Sequence, residues 1–160
     1  YLPSDKLNLI SVILFILIAL TDFFDGFFAR RQNIMSEFGK MLDPIADKLL
    51  VVGVLIVLMI KGTIEDLTIL PALLIIFREI FISGLREFAA NSNSQASIDV
   101  SQVGKFKTAI QMLSLLLILS SLVFKHLMIL LNIGIIFLWI SMALALISGY
   151  KYYKLSLIHI

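Results

Sequence analysis

Five long apolar runs divide this 160-residue chain. A helix needs about 20 such residues to cross the hydrocarbon of a bilayer. The runs cover about 7–28, 43–60, 67–85, 108–124 and 127–150. The first carries no charge before Asp22, and the last two carry none. No period-2 alternation appears, which argues against a β-barrel. The expected fold is therefore all-α: a polytopic transmembrane helical bundle in which each helix satisfies its own backbone polar groups.

Composition agrees. Hydrophobic residues make up 60% of the chain, charged residues 15%, and the mean hydropathy is +1.03. A soluble domain of this size has too few core positions for that much apolar surface. Cysteine is absent, which excludes disulfides, iron–sulfur clusters and cysteine-based zinc sites. The net charge of +2 sits on residues scattered between apolar runs, so no nucleic-acid partner is expected.

The connections give an orientation. Nine basic residues fall on one side: Arg30, Arg31, Lys40, Lys48, Arg86, Lys105, Lys107, Lys151 and Lys154. Three fall on the other side, Lys6, Lys61 and Lys125, while Arg78 lies inside a run. The positive-inside rule makes the richer side cytoplasmic. The polar stretch 91–101 lies on that side, and the tyrosines at 150–153 suit an interface anchor there. The chain begins at Tyr1 rather than Met, and the expectation is one domain, 1–160, preceded elsewhere by a further span.

Four of the eleven acidic residues crowd the cytoplasmic ends of the first two runs. Asp22, Asp25, Gly26 and Ala29 have the i, i+3, i+4, i+7 spacing of one helical face, and Gly39, Asp43 and Asp47 have the i, i+4, i+8 spacing of another. The segment 30–38 turns the chain between them, so the two faces can oppose each other. Two carboxylates 4 Å apart repel by roughly 4 kcal/mol at an effective dielectric of 20. Some of the four are then protonated, or a cation sits among them. Oxygen donors without His or Cys suit Mg²⁺ or Mn²⁺, as one ion or a bridged pair. Gly26, Ala29 and Gly39 leave room for a phosphate ligand beside the ion. The plain alternative is a set of helix-end acids facing water; four acids on two matched faces fit it poorly.

The segment from Asp22 to Asp47, DFFDGFFARRQNIMSEFGKMLDPIAD, resembles the signature of the CDP-alcohol phosphatidyltransferases, D-x2-D-G-x2-A-R-x8-G-x3-D-x3-D. Asp22, Asp25, Gly26, Ala29, Arg30, Gly39, Asp43 and Asp47 fill all eight fixed positions. DPIADKLLV, REIFISGLRE and GKFKTAIQM resemble the branch that makes phosphatidylglycerophosphate. The family has six spans, and its first, with an LPN-x-x-T-x-x-R-like start, has no counterpart here.

The resemblance implies transfer of a phosphatidyl group from CDP-diacylglycerol to an alcohol, sn-glycerol 3-phosphate in that branch, with release of CMP. It implies Asp22, Asp25 and Asp43 as ligands of Mg²⁺ or Mn²⁺, and Asp47 as general base that also touches a second ion. Asp22, Gly26, Ala29, Arg30 and Gly39 would hold the nucleotide. It further implies a homodimer in a bacterial inner membrane or its equivalent, with the site at the cytoplasmic face.

An acceptor carrying a phosphate dianion needs cations, and the candidates are Arg78, Arg86, Lys105 and Lys107. Arg78 with Glu79 reads equally as a structural ion pair. Lys105 and Lys107 read equally as snorkelling or headgroup-binding lysines. GKFKT lacks the upstream glycine of a phosphate-binding loop and has Phe106 where Ser or Thr is required. Serine, inositol phosphate or phosphatidylglycerol are the other acceptors to weigh. An intramembrane prenyltransferase would need a second D-x-x-D motif far along the chain. A cation transporter would show discontinuous helices and polar residues near mid-bilayer.

Overall fold

A computed structural model describes the backbone of residues 4–32, 37–91, 102–124 and 126–158. It describes the side chains of residues 6–21, 45–46, 48–85, 106–124 and 126–154. These residues form five long helices: α1 Ser4–Gln32, α2 Glu37–Ile60, α3 Ile69–Asn91, α4 Gln102–Val123 and α5 Met128–Ile158. One 3₁₀ turn, Asp66–Thr68, leads into α3. The expected all-α membrane bundle is what is found.

Each helix overruns its apolar run. α1 continues through Arg30 and Arg31 to Gln32, and α2 is already helical at Glu37, so the segment 30–38 expected to turn the chain is helical at both its ends. The polar stretch 91–101 lies outside the described residues except for Asn91, which closes α3. Among the described residues, three segments are long and apolar enough to cross a membrane: Asp66–Leu85, Phe106–Val123 and Met128–Lys154. α1 and α2 contribute shorter apolar stretches, Lys6–Thr21 and Lys48–Ile60. Their remaining turns carry the aspartate motif.

Local chemistry sets the ends. α2 ends at Ile60 and is closed by Gly62, whose φ of +67° is one that glycine adopts without a Cβ penalty. The Gly62 N–H donates to the Met59 carbonyl and the Thr63 N–H to the Leu58 carbonyl, each at 3.0 Å. These two bonds form a Schellman cap. Pro71 sits in the first turn of α3, where a missing N–H costs nothing. Pro44 is different: it lies within α2, between Asp43 and Asp47, and leaves the Lys40 carbonyl without its usual i+4 donor.

Lipid is as apolar as leucine, so association of these helices rests on close packing and interhelical hydrogen bonds. α4 and α5 show both. A Cβ on Gly134 would lie 2.7 Å from Ile118 Cγ1, so the glycine lets the two helices approach. Next to it, Ser114 Oγ donates to the Gly134 carbonyl at 2.8 Å. α3 and α1 pack on this pair, and α2 packs against α4 and α3. Phe15, Leu55, Ile75, Leu115, Ile118 and Leu138 form the centre of the core. The outer face of α1 exposes Leu9, Ile13, Leu14 and Leu17, as a lipid-facing surface does. Ser11 and Thr21, both exposed, return their hydroxyls to the carbonyls of Leu7 and Leu17, each at 2.8 Å, so neither is left unpaired.

One polar contact pins the first half of the chain to the second. Asn8 is buried and donates from Nδ2 to the Leu122 carbonyl at 3.3 Å. Its Oδ1 accepts from Lys61 Nζ. The start of α1, the end of α2 and the end of α4 therefore meet at one end of the bundle.

Candidate active site

The pin is a common origin for distances along α1, α2 and α4 toward the opposite end. Asp22 lies 14 residues beyond Asn8 on α1, about 21 Å along the axis. Asp47 lies 14 residues before Lys61 on α2, also about 21 Å. Lys107 lies 15 residues before Leu122 on α4, about 22 Å. Counted along each helix from the pin, these three backbone positions lie at similar distances toward the opposite end. Asp25 and Asp43 fall about one turn further toward the same end.

The helical premise of the motif holds. Asp22, Asp25, Gly26, Ala29 and Arg30 all lie within α1, and Gly39, Asp43 and Asp47 within α2. The spacings i, i+3, i+4, i+7 and i, i+4, i+8 are therefore real helical faces. The side chains of these eight residues lie outside the described part of the structure, as do those of Arg86 and Lys105. Four carboxylates on two such faces, with no nitrogen or sulfur ligand among the motif residues, form a donor set that fits a hard divalent ion.

The two remaining cation candidates, Arg78 and Lys107, are brought together. Arg78 on α3 donates from Nη1 to Glu79 Oε1 at 3.2 Å, from Nε to the Ala145 carbonyl at 3.1 Å and from Nη2 to Ser148 Oγ at 2.9 Å. Lys107 on α4 pairs through Nζ with the same Glu79 Oε1. One carboxylate thus joins two cations, and the cluster ties α3, α4 and α5 together. Both cations meet the same carboxylate oxygen in a buried place. An ionisable group at such depth requires partners of this kind.

The structural ion pair read from the sequence is therefore present, and it has a third member. Lys107 does not snorkel: its side chain is only 7% exposed and it points into the bundle. The run expected to begin at 108 left Lys107 outside the span, whereas α4 begins at Gln102 and carries Lys107 well inside. Gly149 allows the arrangement, since a Cβ there would lie 3.4 Å from Arg78 Cγ and Nε. An apolar cavity of about 600 Å³ opens beside Arg78, between α3 and α5, lined by Phe77, Phe81, Leu146 and Tyr150 among others.

The family model for CDP-alcohol phosphatidyltransferase matches residues 1–147, a stretch that holds the aspartate motif and the Arg78–Glu79–Lys107 cluster. The chain belongs to this family. A protein of Rickettsia bellii is 43% identical over 154 residues, covering 96% of this chain and 82% of that protein. One of Wigglesworthia glossinidia brevipalpis is 42% identical over 156 residues, covering 98% of this chain and 83% of that protein. One of Salmonella typhimurium is 44% identical over 115 residues, covering 72% of this chain and 63% of that protein. All three are named CDP-diacylglycerol–glycerol-3-phosphate 3-phosphatidyltransferase.

In this family member a second polar pattern escaped the sequence reading. Lys107, Gln111 and Ser114 are buried on one face of α4, and Ser141, Ala145 and Ser148 on one face of α5. Both sets have i, i+4, i+7 spacing, and all of them except Lys107 lie inside runs read only as apolar. Polar residues at that period in a membrane helix mark a helix–helix seam.

Proposed function

We propose that this chain transfers the phosphatidyl group of CDP-diacylglycerol to sn-glycerol 3-phosphate, giving phosphatidylglycerophosphate and CMP in phospholipid synthesis. The observation that carries the reading is the complete eight-position signature on α1 and α2, in a chain whose relatives carry that name along most of their length. Intact helices through Asp22–Ala29 and Gly39–Asp47 support it, because the motif's geometry depends on them.

The chemistry assigns a task to each group. The acceptor hydroxyl oxygen forms a bond to the phosphatidyl phosphorus, and the bond from that phosphorus to the CMP oxygen breaks. CMP leaves with the electron pair, and the hydroxyl proton passes to the Asp47 carboxylate. Asp22, Asp25, Asp43 and Asp47 offer the oxygens that would hold one or two Mg²⁺ or Mn²⁺ ions. When bound, such ions neutralise the pyrophosphate and the charge developing on CMP. Gly26, Ala29 and Gly39 keep the motif faces free of bulk where the nucleotide must lie, and Arg30 adds a cation for its phosphate. Arg78 and Lys107, with Arg86 and Lys105 on the same two helices, supply positive charge for the acceptor phosphate. The similar distances of Asp22, Asp47 and Lys107 from the pin support this division, because donor phosphate and acceptor phosphate must lie close together.

The lipid donor requires a site open to the bilayer, and the nine-to-three distribution of basic residues supports the cytoplasmic face. A homodimer belongs to the same reading, and cross-linking in native membranes tests it.

The testing experiment is CMP release from CDP-diacylglycerol by the purified chain, with and without Mg²⁺ or Mn²⁺. Glycerol 3-phosphate, serine, inositol phosphate and phosphatidylglycerol are offered in turn. Metal-dependent release driven by glycerol 3-phosphate alone is expected. Release driven by another alcohol keeps the site and overturns the acceptor.

A further inference from the structure

We propose that the groove between α3 and α5 binds a resident anionic phospholipid of the membrane, with an acyl chain along the groove and the phosphate at the lysines that end α5. The groove is the cavity of about 600 Å³ beside Arg78, a size typical of a ligand site. Its walls are Leu74, Phe77 and Phe81 on α3 and Leu146, Tyr150 and Tyr153 on α5. Arg78 crosses between the walls to the Ala145 carbonyl and Ser148 Oγ, and Gly149 adds no side chain beside it. Each side-chain nitrogen of Arg78 already donates within the protein, so the groove offers little to a water-soluble ligand.

The dimensions suit a hydrocarbon chain. From Leu146 to Tyr153 is about 10 Å along the axis, and from Leu74 to Ile82 about 12 Å, against about 15 Å of hydrocarbon in one leaflet. Phe77, Phe81 and Tyr150 are exposed, which leaves the outer side open to the bilayer. The rings of Phe81 and Tyr153, with centroids 6.3 Å apart, join the walls.

The rim selects the headgroup. Lys154 follows Tyr150 by one turn, and Lys151 is next to it. Both lysines are exposed and make no ion pair among the described residues. The chain has no Asp or Glu after Asp99, so α5 carries no acid of its own to neutralise them. Lysines at the membrane surface attract anionic headgroups. The donor is a different occupant: on the functional reading above its phosphates belong with the aspartates of α1 and α2, whereas α5 packs chiefly on α3 and α4.

The test uses Trp139, the single tryptophan of the chain. It is exposed and lies seven residues before Leu146 on the same face of α5, about 10 Å along the axis. A bromine-labelled acyl chain in or beside the groove quenches its fluorescence. The full chain is reconstituted in phosphatidylcholine bilayers that carry a small, equal fraction of mid-chain-brominated phosphatidylglycerol or phosphatidylcholine. An about fivefold binding preference for the phosphatidylglycerol is expected, the effect of one well-placed lysine. The double variant Lys151→Gln/Lys154→Gln is expected to lose the preference. Leu146→Phe fills the groove and is expected to lose it with both lysines present. Leu74→Phe fills the groove from the other wall and serves if Leu146→Phe does not fold.

Equal quenching of the wild-type chain by the two lipids overturns the proposal, and cross-linking between copies through Phe77→Cys would then give the face to a second copy. A preference that survives filling of the groove overturns it too, since the lysines would be acting at the surface alone. Recovery of fluorescence on adding one CDP-diacylglycerol per chain with Mg²⁺ would give the groove to the donor and overturn the resident lipid. Absence of CMP release with glycerol 3-phosphate would overturn the functional reading and leave this quenching result standing.

Discussion

The α1–α2 pair and the α3–α4–α5 group use their polar residues in opposite ways. On α1 and α2 the acids stand at the ends of the apolar stretches, in a motif whose spacing is the whole message. On α3, α4 and α5 the polar residues lie inside the membrane-spanning segments and are joined across helices, at Arg78–Glu79–Lys107 and at Ser114–Gly134. The carboxylates of the first region have the spacing of a ligand-holding motif; the polar groups of the second are joined to one another at these two places. In a bilayer such joining also supplies stability, because interhelical hydrogen bonds and tight packing replace the hydrophobic effect.

This difference sets an order of expected effects. Removal of divalent ions with a chelator is expected to abolish CMP release and to leave the helical circular dichroism unchanged, with activity restored by Mg²⁺ or Mn²⁺. Residual release in chelator would show that the four aspartates do not need an ion. Asp47→Asn follows, with a loss of about 10²–10⁴-fold in kcat, the range for a lost general base. Nucleotide binding, measured by protection of the melting temperature by CDP-diacylglycerol with metal, is expected to persist. Near-normal turnover would remove Asp47 from the base role.

Across the boundary the readout changes from turnover to stability. Gly134→Ala places a Cβ where Ile118 Cγ1 and the Ile118 backbone nitrogen already stand, at 2.7 and 3.1 Å. The expected loss is about 1–3 kcal/mol of stability, read as a lower melting temperature in detergent. A change in acceptor KM without any fall in melting temperature would contradict the division. Asn8→Ala removes the pin between α1, α2 and α4 and leaves Lys61 without that partner. A loss of about 1–3 kcal/mol is expected. Because the pin also sets the level of Asp22 and Asp47 against Lys107, some turnover should be lost with it. The smallest effect is expected from Gly149→Ala, where the new Cβ meets Arg78 at 3.4 Å, an ordinary contact. A modest rise in the acceptor KM measures how firmly Arg78 is held.

The two regions also differed in how far the sequence could be read. Helix number, three of the five expected spans and the helical spacing of the aspartate motif were legible, because hydropathy and helical spacing are local properties of a chain. The Lys107–Glu79 pairing was not, because it joins residues 28 apart through the packing of α3 against its neighbours. Lys107 stood at the edge of an apolar run and was open to reading as a snorkelling side chain; only the true start of α4 at Gln102 turns it inward. The pin at Asn8 was hidden for the same reason, since its partners lie 53 and 114 residues away. The traces are single polar residues, Asn8 and Glu79 within apolar runs and Lys107 at the edge of one, the last on a polar face with Gln111 and Ser114. Periodicity shows that such a face exists but does not name its partner.

The most direct test of the whole account follows the acceptor into the product. Labelled glycerol 3-phosphate is incubated with CDP-diacylglycerol and the purified chain in lipid, and the solvent-extractable label is identified by mass. The account predicts label in phosphatidylglycerophosphate, formed only with Mg²⁺ or Mn²⁺ and with one CMP released per lipid labelled. CMP release from folded protein with the label remaining in water would contradict glycerol 3-phosphate as acceptor, and the absence of both would contradict the transfer reaction itself.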